Sequence, residues 1–324
     1  MPTSERTPKV VIIGGAYVDM VVRCGQVPSP GQSTSGTALS YTATGPGPNQ
    51  AAEAALCGCR VHLISRVGGD PFAQMVKSSL AEFGVNTDFV ISSPAKNTGV
   101  VVTLVNAEGE NASLVYAGAN CAMQPQDIDA ADNVMSEADV CLIHGELPQA
   151  VVATAIKRAR AHGAKVILNP ARPMERPAGG STDLPAEYFT ANILIPNLYE
   201  AADIIDEVTT PSSRRETAKL IGSDIVARGA DAAVITMGKR GCLVVDRAGA
   251  DHVPAFEVEL VDQTGRGDAF AGALAASCAV GDNIREAVKF ASAAGALACT
   301  KFGSIEALPS KAEIIELLQK HDIE

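Results

Sequence analysis

From Lys9 to Gly15 a short apolar run ends in glycines, the pattern of a strand buried on both faces within a parallel sheet. A helix-period stretch follows at Asn49 to Leu56. Strand-like and helix-like runs then alternate: a strand over Val61 to Val67, a helix over Pro71 to Phe83, a strand over Val140 to Ile143, a helix over Gln149 to His162 and a strand over Lys165 to Leu168. The rhythm resumes with a strand at Asn192 to Ile195, a helix near Arg214 to Arg228 and a strand at Ala232 to Thr236. It closes with helices over Gly267 to Val280, Ile284 to Thr300 and Lys311 to Lys320. Alternation of this kind builds βαβ units, so the predicted body is an α/β fold: a doubly wound, mostly parallel sheet between helices.

Two segments break the rhythm. In Gln32 to Thr44 and Thr98 to Tyr116, Val, Thr, Ser and Tyr alternate between turns without helical periodicity, which predicts antiparallel strands. Paired with each other they form a small β-sheet lid, with strands drawn from about 16–44 and 97–118, standing at the carboxyl end of the main sheet, where such folds bind ligands. No internal repeat is visible, and the Pro- and Gly-rich stretch Arg172 to Gly180 reads as a surface loop rather than a linker, so 1–324 is expected to be one domain.

Composition narrows the function. Apolar residues make up 47% and charged residues 19% of the 324, close to the globular norm and unlike a disordered or membrane protein. Aromatics are 4% with no Trp, and the formal net charge is −11, so both stacking on single-stranded bases and attraction to nucleic-acid backbones or anionic membranes are disfavoured. One bound nucleotide is not excluded, because backbone N–H groups, a helix start and a metal ion compensate it locally. Met1 to Lys9 is polar and the next apolar run short, so neither a secretory nor a membrane-spanning segment is expected and the cytoplasm is the default location. The cysteines at 24, 57, 59, 121, 141, 242, 278 and 299 are scattered and read as free thiols; Cys57 and Cys59 lack a second pair for zinc.

The chemistry concentrates in Asp262-Gln263-Thr264-Gly265-Arg266-Gly267-Asp268-Ala269-Phe270, which opens a helix. Two glycines beside a helix start let several N–H groups converge on an anion, reinforced by the helix dipole. Asp268 beside such a cradle reads in two ways: as a base that takes a proton from an attacking hydroxyl, or as a cap of the helix. No Gly-x-x-x-x-Gly-Lys-Ser/Thr loop occurs, nor a Gly-x-Gly-x-x-Gly after the first strand.

In these residues the chain resembles the ribokinase-like (PfkB) carbohydrate kinases over essentially its whole length, and within them the ribokinase branch. Asp262 to Asp268 is similar to that family's Asp-Thr-x-Gly-Ala-Gly-Asp signature. The resemblance implies an ATP-dependent transfer of the γ-phosphoryl group to a primary hydroxyl of a small sugar, D-ribose foremost. It makes Asp268 the catalytic base and gives the anion-hole amides to Gly265, Arg266 and Gly267. Gly14-Gly15-Ala16-Tyr17-Val18-Asp19 resembles the first strand with its sugar-holding Asp19, and Gly45, Gly47, Asn49, Glu146 and Asp268 fall at sugar-contacting positions. Read alone, Asp19 is equally a turn residue and Glu146 a helix-start acid.

By the same resemblance Asn197 and Glu200 organise Mg²⁺ and phosphates, while Thr236, Gly238, Gly241 and Gly267 line the nucleotide site. Locally the first pair also reads as a helix cap and the second group as a hairpin turn. A monovalent cation, K⁺ in relatives, falls to Asp262, Thr264, Ala298, Lys301 and Gly303, mostly through carbonyls, and Ala307 stands where relatives carry a Ser. Three further departures concern the pocket. Thr44-Gly45-Pro46-Gly47-Pro48-Asn49 replaces Gly-Gly-Lys-Gly-Ala-Asn, Gln32 replaces a Glu, and Arg266 replaces a small residue, pointing either at a phosphate or at solvent. A nucleoside kinase of the same superfamily and a non-catalytic sugar- or nucleotide-binding regulator are the alternatives, and a homodimer through the lid is expected.

Overall fold

The run Lys-Val-Val-Ile-Ile forms strand β1 (Lys9–Ile13), and its alternate side chains feed two different cores: Val10 and Ile12 pack on one side of the sheet, Val11 and Ile13 on the other. A strand covered on both faces has no polar position to spare, which is why the run is continuous rather than alternating.

The computed structural model describes residues 6–171, 184–204 and 214–323. After β1 come β2 (Tyr17–Cys24), β3 (Gly36–Thr44), α1 (Pro46–Leu56), β4 (Arg60–Gly68), α2 (Pro71–Glu82), β5 (Val90–Ser93), β6 (Gly99–Val105) and β7 (Asn111–Tyr116). The chain continues through α3 (Pro125–Ala130), α4 (Asp132–Met135), β8 (Val140–His144), α5 (Gln149–Ala161), β9 (Lys165–Asn169), β10 (Ile193–Leu194), α6 (Leu198–Ile204) and α7 (Arg214–Ala227). It ends with β11 (Ala232–Thr236), β12 (Cys242–Asp246), β13 (Gly249–Val253), α8 (Arg266–Val280), α9 (Ile284–Ala298) and α10 (Lys311–Ile323). The stretch expected as a loop at Arg172 to Gly180 lies outside the described residues.

Among the described residues nine strands form the main sheet, in the order β13-β12-β11-β10-β9-β8-β1-β4-β5. It is parallel from β11 to β5, and β11, β12 and β13 form an antiparallel edge. Helices α1, α8 and α9 contribute to the core on one face, α5 and α7 to the core on the other. The α/β architecture is therefore the expected one. The hairpin β12–β13 and the short β5 are additions to it: Cys242 to Val253 alternates too weakly, with His, Asp and Gly among its apolar residues, to stand out as two strands.

A separate four-stranded sheet has the order β3-β2-β6-β7. Its two hairpin-like pairs, β2–β3 and β6–β7, are antiparallel, but the central pair β2–β6 is parallel, a pairing that strand periodicity does not reveal. Strand alternation turns Tyr17, Asp19 and Val21 to one face and Val18, Met20 and Val22 to the other. The second face also carries Leu39, Tyr41, Leu114 and Tyr116, which are 54%, 43%, 71% and 50% exposed. Among the described residues no helix is long and apolar enough to cross a membrane.

Helix α1 begins at Pro46, earlier than the helical period suggested. Proline suits a first turn because its missing N–H has no intrahelical partner there. The prolines at 46 and 48 thus belong to helix initiation.

Candidate active site

Two close approaches put α1 where the chemistry is. A Cβ on Gly47 would lie 2.7 Å from the Gly14 carbonyl oxygen, so the first turn of α1 rests directly on the exit of β1. A Cβ on Gly272 would lie 2.6 Å from the Gln50 carbonyl oxygen and 2.7 Å from Glu53 Cβ, so α1 and α8 touch backbone to backbone. Any larger residue at these positions would force the elements apart.

The consequence is a carboxylate held by two amides. Asn49 Nδ2 donates to Asp268 Oδ2 and Gln50 Nε2 to Asp268 Oδ1, both at 2.9 Å. Asn49 and Gln50 are 2% and 0% exposed, and their side-chain carbonyl oxygens have no hydrogen-bond partner among the described residues. Buried acceptors left open cost about 1–3 kcal/mol each, so a site that keeps them is built for a donor. Burial raises the pKa of the half-buried Asp268, while the Asn49 amide, the His144 ring and the Gln50 amide draw it back down. A carboxylate with a raised pKa is the stronger base, and so the better proton acceptor, in its ionised form.

Beside it stand His144 and Glu146. Past the end of β8 the Gly145 N–H bonds the Asn169 carbonyl at 2.8 Å, which ties the segment carrying Glu146 to the end of β9. His144 Nδ1 lies 3.6 Å from Glu146 Oε1. Tyr17, 3% exposed, inserts its ring beside Gly45 and Gly99 and forms side-chain hydrogen bonds with Glu146 and Asn120. Burial, then the Glu146 charge, pushes the Tyr17 phenol far up, so it acts as a neutral donor. Asn120 in turn clasps Ala16, accepting its N–H at 2.9 Å and donating to its carbonyl at 3.0 Å.

Asp19 lies on the small sheet, half-buried, and accepts a bond from Thr103 Oγ1 at 3.0 Å. Burial raises its pKa, Thr103 lowers it, and the charge that reaches it is that of Glu306. Thr44 turns its hydroxyl to Ser304 Oγ at 2.9 Å; both are buried.

At the other end of Asp268, Gly265 adopts φ 73° as the residue before α8, and the Ala269 N–H reaches its carbonyl at 2.9 Å. Asp262 organises the turn: its Oδ1 accepts from Thr264 N at 3.0 Å and Thr264 Oγ1 at 2.7 Å, and its Oδ2 from Gly303 N at 3.2 Å. Those bonds outweigh burial and hold its carboxyl below the usual range. Arg266 Nη1 donates to Gln263 Oε1 at 3.2 Å, and its guanidinium lies 3.8 Å from where a Cβ on Gly238 would sit. The Arg266 side chain therefore spans from the glycine turn to the loop Met237 to Gly241, which closes the β11–β12 hairpin. Thr236, at the mouth of that loop, bridges to Asn197.

Asn197 and Glu200 form a reciprocal cap. Asn197 Oδ1 accepts from Tyr199 N at 2.9 Å and Glu200 N at 3.0 Å, and Glu200 Oε2 accepts from Asn197 N at 2.9 Å. The Lys301 ammonium bonds Glu313 at 3.0 Å, so only the Lys301 carbonyl is available to a neighbouring site. An open cleft lined by Leu260, Val261, Asp262, Gln263 and Thr264 runs to Asn111 at the edge of the small sheet.

Of the residues singled out from sequence, Asn49, Glu146 and Asp268 come together, Gly45 lies against Tyr17 beside them, and Asp262, Thr264 and Gly303 form one turn behind. Asn197, Thr236 and Gly238 gather on the neighbouring strand ends. Gly241 closes the loop that carries Gly238, its N–H bonding the Gly238 carbonyl at 3.0 Å, and Asp19 is held on the small sheet by Thr103. Gln50, His144, Tyr17 and Asn120 were missed. Gln50 was hidden because consecutive helical residues diverge, yet the start of α8 lies over the start of α1 and Asp268 meets both. His144 had a signal, an imidazole closing an otherwise apolar strand.

The profile described as pfkB family carbohydrate kinase matches residues 7–311. Ribokinase of Bacillus subtilis is 33% identical over 311 residues, covering 95% of this chain and 99% of that protein. Deoxyribokinase of Salmonella typhimurium is 30% identical over 315 residues, covering 97% of this chain and 99% of its own length. The structure of Arabidopsis thaliana ribokinase complexed with ribose and ATP superposes with a TM-score of 0.84 at 24% identity, over 97% of this chain and 99% of that one.

Proposed function

The chain belongs to the pfkB family of carbohydrate kinases and is a sugar phosphotransferase, and on that premise we propose that it transfers the γ-phosphoryl group of ATP to a primary hydroxyl of a pentose, D-ribose foremost. The observation that carries this reading is Asp268, locked by Asn49 and Gln50 at the start of a glycine-turned helix. The acceptor oxygen attacks the γ-phosphorus as the bond to the bridging oxygen breaks, ADP leaves, and the hydroxyl proton passes to an Asp268 oxygen. The amides of Gly265, Arg266 and Gly267 stabilise the charge on the migrating group. Asp19, Gly45, Asn49 and Glu146 bind the sugar; Thr236, Gly238 and Gly241 bind the nucleotide.

Asn197 and Glu200 offer hard oxygen donors on a rigid cap, which fits a hydrated Mg²⁺; such an ion neutralises charge on the β- and γ-phosphates when bound. For a monovalent ion, Gly303 is tied to Asp262, so the carbonyl-bearing segments 262–264 and 298–303 adjoin, which fits the carbonyl part of such a site. Ala307 supplies no hydroxyl, so activation by K⁺ is proposed to be weak. The apolar outer face of the four-stranded sheet supports a homodimer through the lid. Eight free thiols support a reducing, cytoplasmic setting.

The test is ADP formation with D-ribose, 2-deoxy-D-ribose, hexoses, adenosine, inosine and cytidine, with and without K⁺. D-ribose is expected to give the highest kcat/KM. Preference for 2-deoxy-D-ribose would move the assignment to the deoxyribokinase side, preference for a nucleoside would overturn the sugar reading, and no turnover with any acceptor would favour a binding regulator.

A further inference from the structure

His144 is 8% exposed, and its Nδ1 and Glu146 Oε1, 3.6 Å apart, are both sealed from solvent without a hydrogen-bond partner among the described residues. Nothing in the proposed transfer uses the ring. It nevertheless ends the strand next to β1, with the sugar-facing carboxylate two residues on and the Asp268 base close enough for their charges to interact. Glu146 is confined on its other sides: Tyr17 of β2 bonds to it, and the Gly15 backbone leaves no room for a Cβ beside its Oε1. A carboxylate confined by a phenol and a backbone wall takes its orientation from whatever faces the remaining side, and that is His144.

We infer that His144, in its imidazolium form, is the positioning residue that orients Glu146 for the sugar, so that sugar affinity follows the charge of this ring. The inference rests on the sugar-kinase reading. The charges facing the ring are Glu146 from the loop after β8, Asp268 from α8 and Glu200 from α6, all acidic; Tyr17 and Asn120 surround Glu146 from the side of the small sheet. Burial alone pulls His144 down, but Glu146, followed by Asp268 and Glu200, more than offsets it, so the ring stays charged to higher pH than an exposed histidine. Above that point a neutral ring offers Glu146 at most a neutral hydrogen bond, about half as strong as the charged one. Loss of the His144 charge is therefore read first in sugar binding, through the Glu146 it orients.

The experiment is steady-state kinetics from pH 6 to 9 at saturating ATP with varied sugar, on the wild type, His144→Gln and His144→Ala. In the wild type KM for the sugar is expected to rise about tenfold as the ring titrates, the loss of one charge-assisted contact, and to change by more than kcat does. Gln keeps an amide donor that does not titrate, so H144Q should show a flat KM, and H144A a raised KM at every pH. An H144Q profile that follows the wild type, or a wild-type KM in H144A, overturns the inference. Should the variants fail to fold, titration of the His144 ring by NMR in the wild type decides: a midpoint at or below that of an exposed histidine contradicts the charged pair, and one above it supports the pair. A wild type that phosphorylates no sugar at any pH would refute the functional reading instead, and the ring titration would still test the pair.

Discussion

Asn49 Nδ2 reaches Asp268 Oδ2 across 2.9 Å although the two residues are 219 apart in the chain, and the bond joins the first turn of α1 to the first turn of α8. With Gln50 on the other oxygen, the carboxylate cannot rotate without breaking a buried hydrogen bond. A base fixed in this way needs no reorganisation when the hydroxyl arrives, which is the form of catalysis that preorganised polar groups supply.

Removing one of the two amides should change when the base titrates. The folded pKa of Asp268 is raised, and a protonated Asp268 cannot accept a proton, so kcat falls as pH drops through that value. Gln50→Leu deletes a donor that favours the ionised form, so the acid limb of kcat should move to higher pH by about one unit. An unmoved acid limb in a folded Q50L protein would contradict the role of Gln50.

Helix α1 is placed by contact at glycine. Gly47→Ala inserts a methyl 2.7 Å from the Gly14 carbonyl, and backbone on both sides prevents relief. Destabilisation of about 1–3 kcal/mol is expected by thermal or urea unfolding, with a fall in kcat because Asn49 and Gln50 ride on the displaced turn. Wild-type stability and turnover together would refute the close approach.

Much of this arrangement was readable in advance. The continuous apolar run at Lys9 to Ile13 announced a strand buried on both faces, and the Asp262 to Asp268 glycine turn announced the start of α8. What could not be read was which elements touch. Gln50 and His144 look unremarkable in the chain because their partners are supplied by α8 and by the turn at Gly145. The parallel pairing of β2 with β6 escaped because alternation records which face a residue takes and not its neighbour's direction. Asn197 and Glu200 show the converse: their spacing allowed a cap or a metal-organising pair, and the structure builds the cap in full.

Thr44 and Ser304 form a buried hydroxyl pair at 2.9 Å where the family pattern has Gly at the first position. Thr44→Val should cost about 1–3 kcal/mol by leaving Ser304 unpaired, and adding Ser304→Ala should return most of it. Urea unfolding of the two single variants and the double variant measures the coupling; strictly additive losses would show that the bond contributes nothing.

Glu53 is a second buried acid, held away from the cleft against Cys57 Sγ at 3.5 Å. Burial, opposed by the Cys57 hydrogen bond and aided by Glu313, pushes it up to about 8. The folded protein therefore holds a proton that the unfolded chain releases from pH of about 4.5 upward, and stability should decline from there to about pH 8 and then level off. Glu53→Gln should flatten this slope and be the more stable protein at pH 8. Parallel Tm-against-pH curves for E53Q and wild type would contradict the buried proton.

The central claim is that Asp268 draws the proton from the attacking hydroxyl, and Asp268→Asn tests it most directly, since the amide keeps the shape and loses the basicity. Measured with the preferred sugar at saturating ATP, kcat should fall about 10²- to 10⁴-fold while ATP binding, followed by calorimetry, stays within a few-fold of wild type. Turnover close to wild type in D268N would contradict the account.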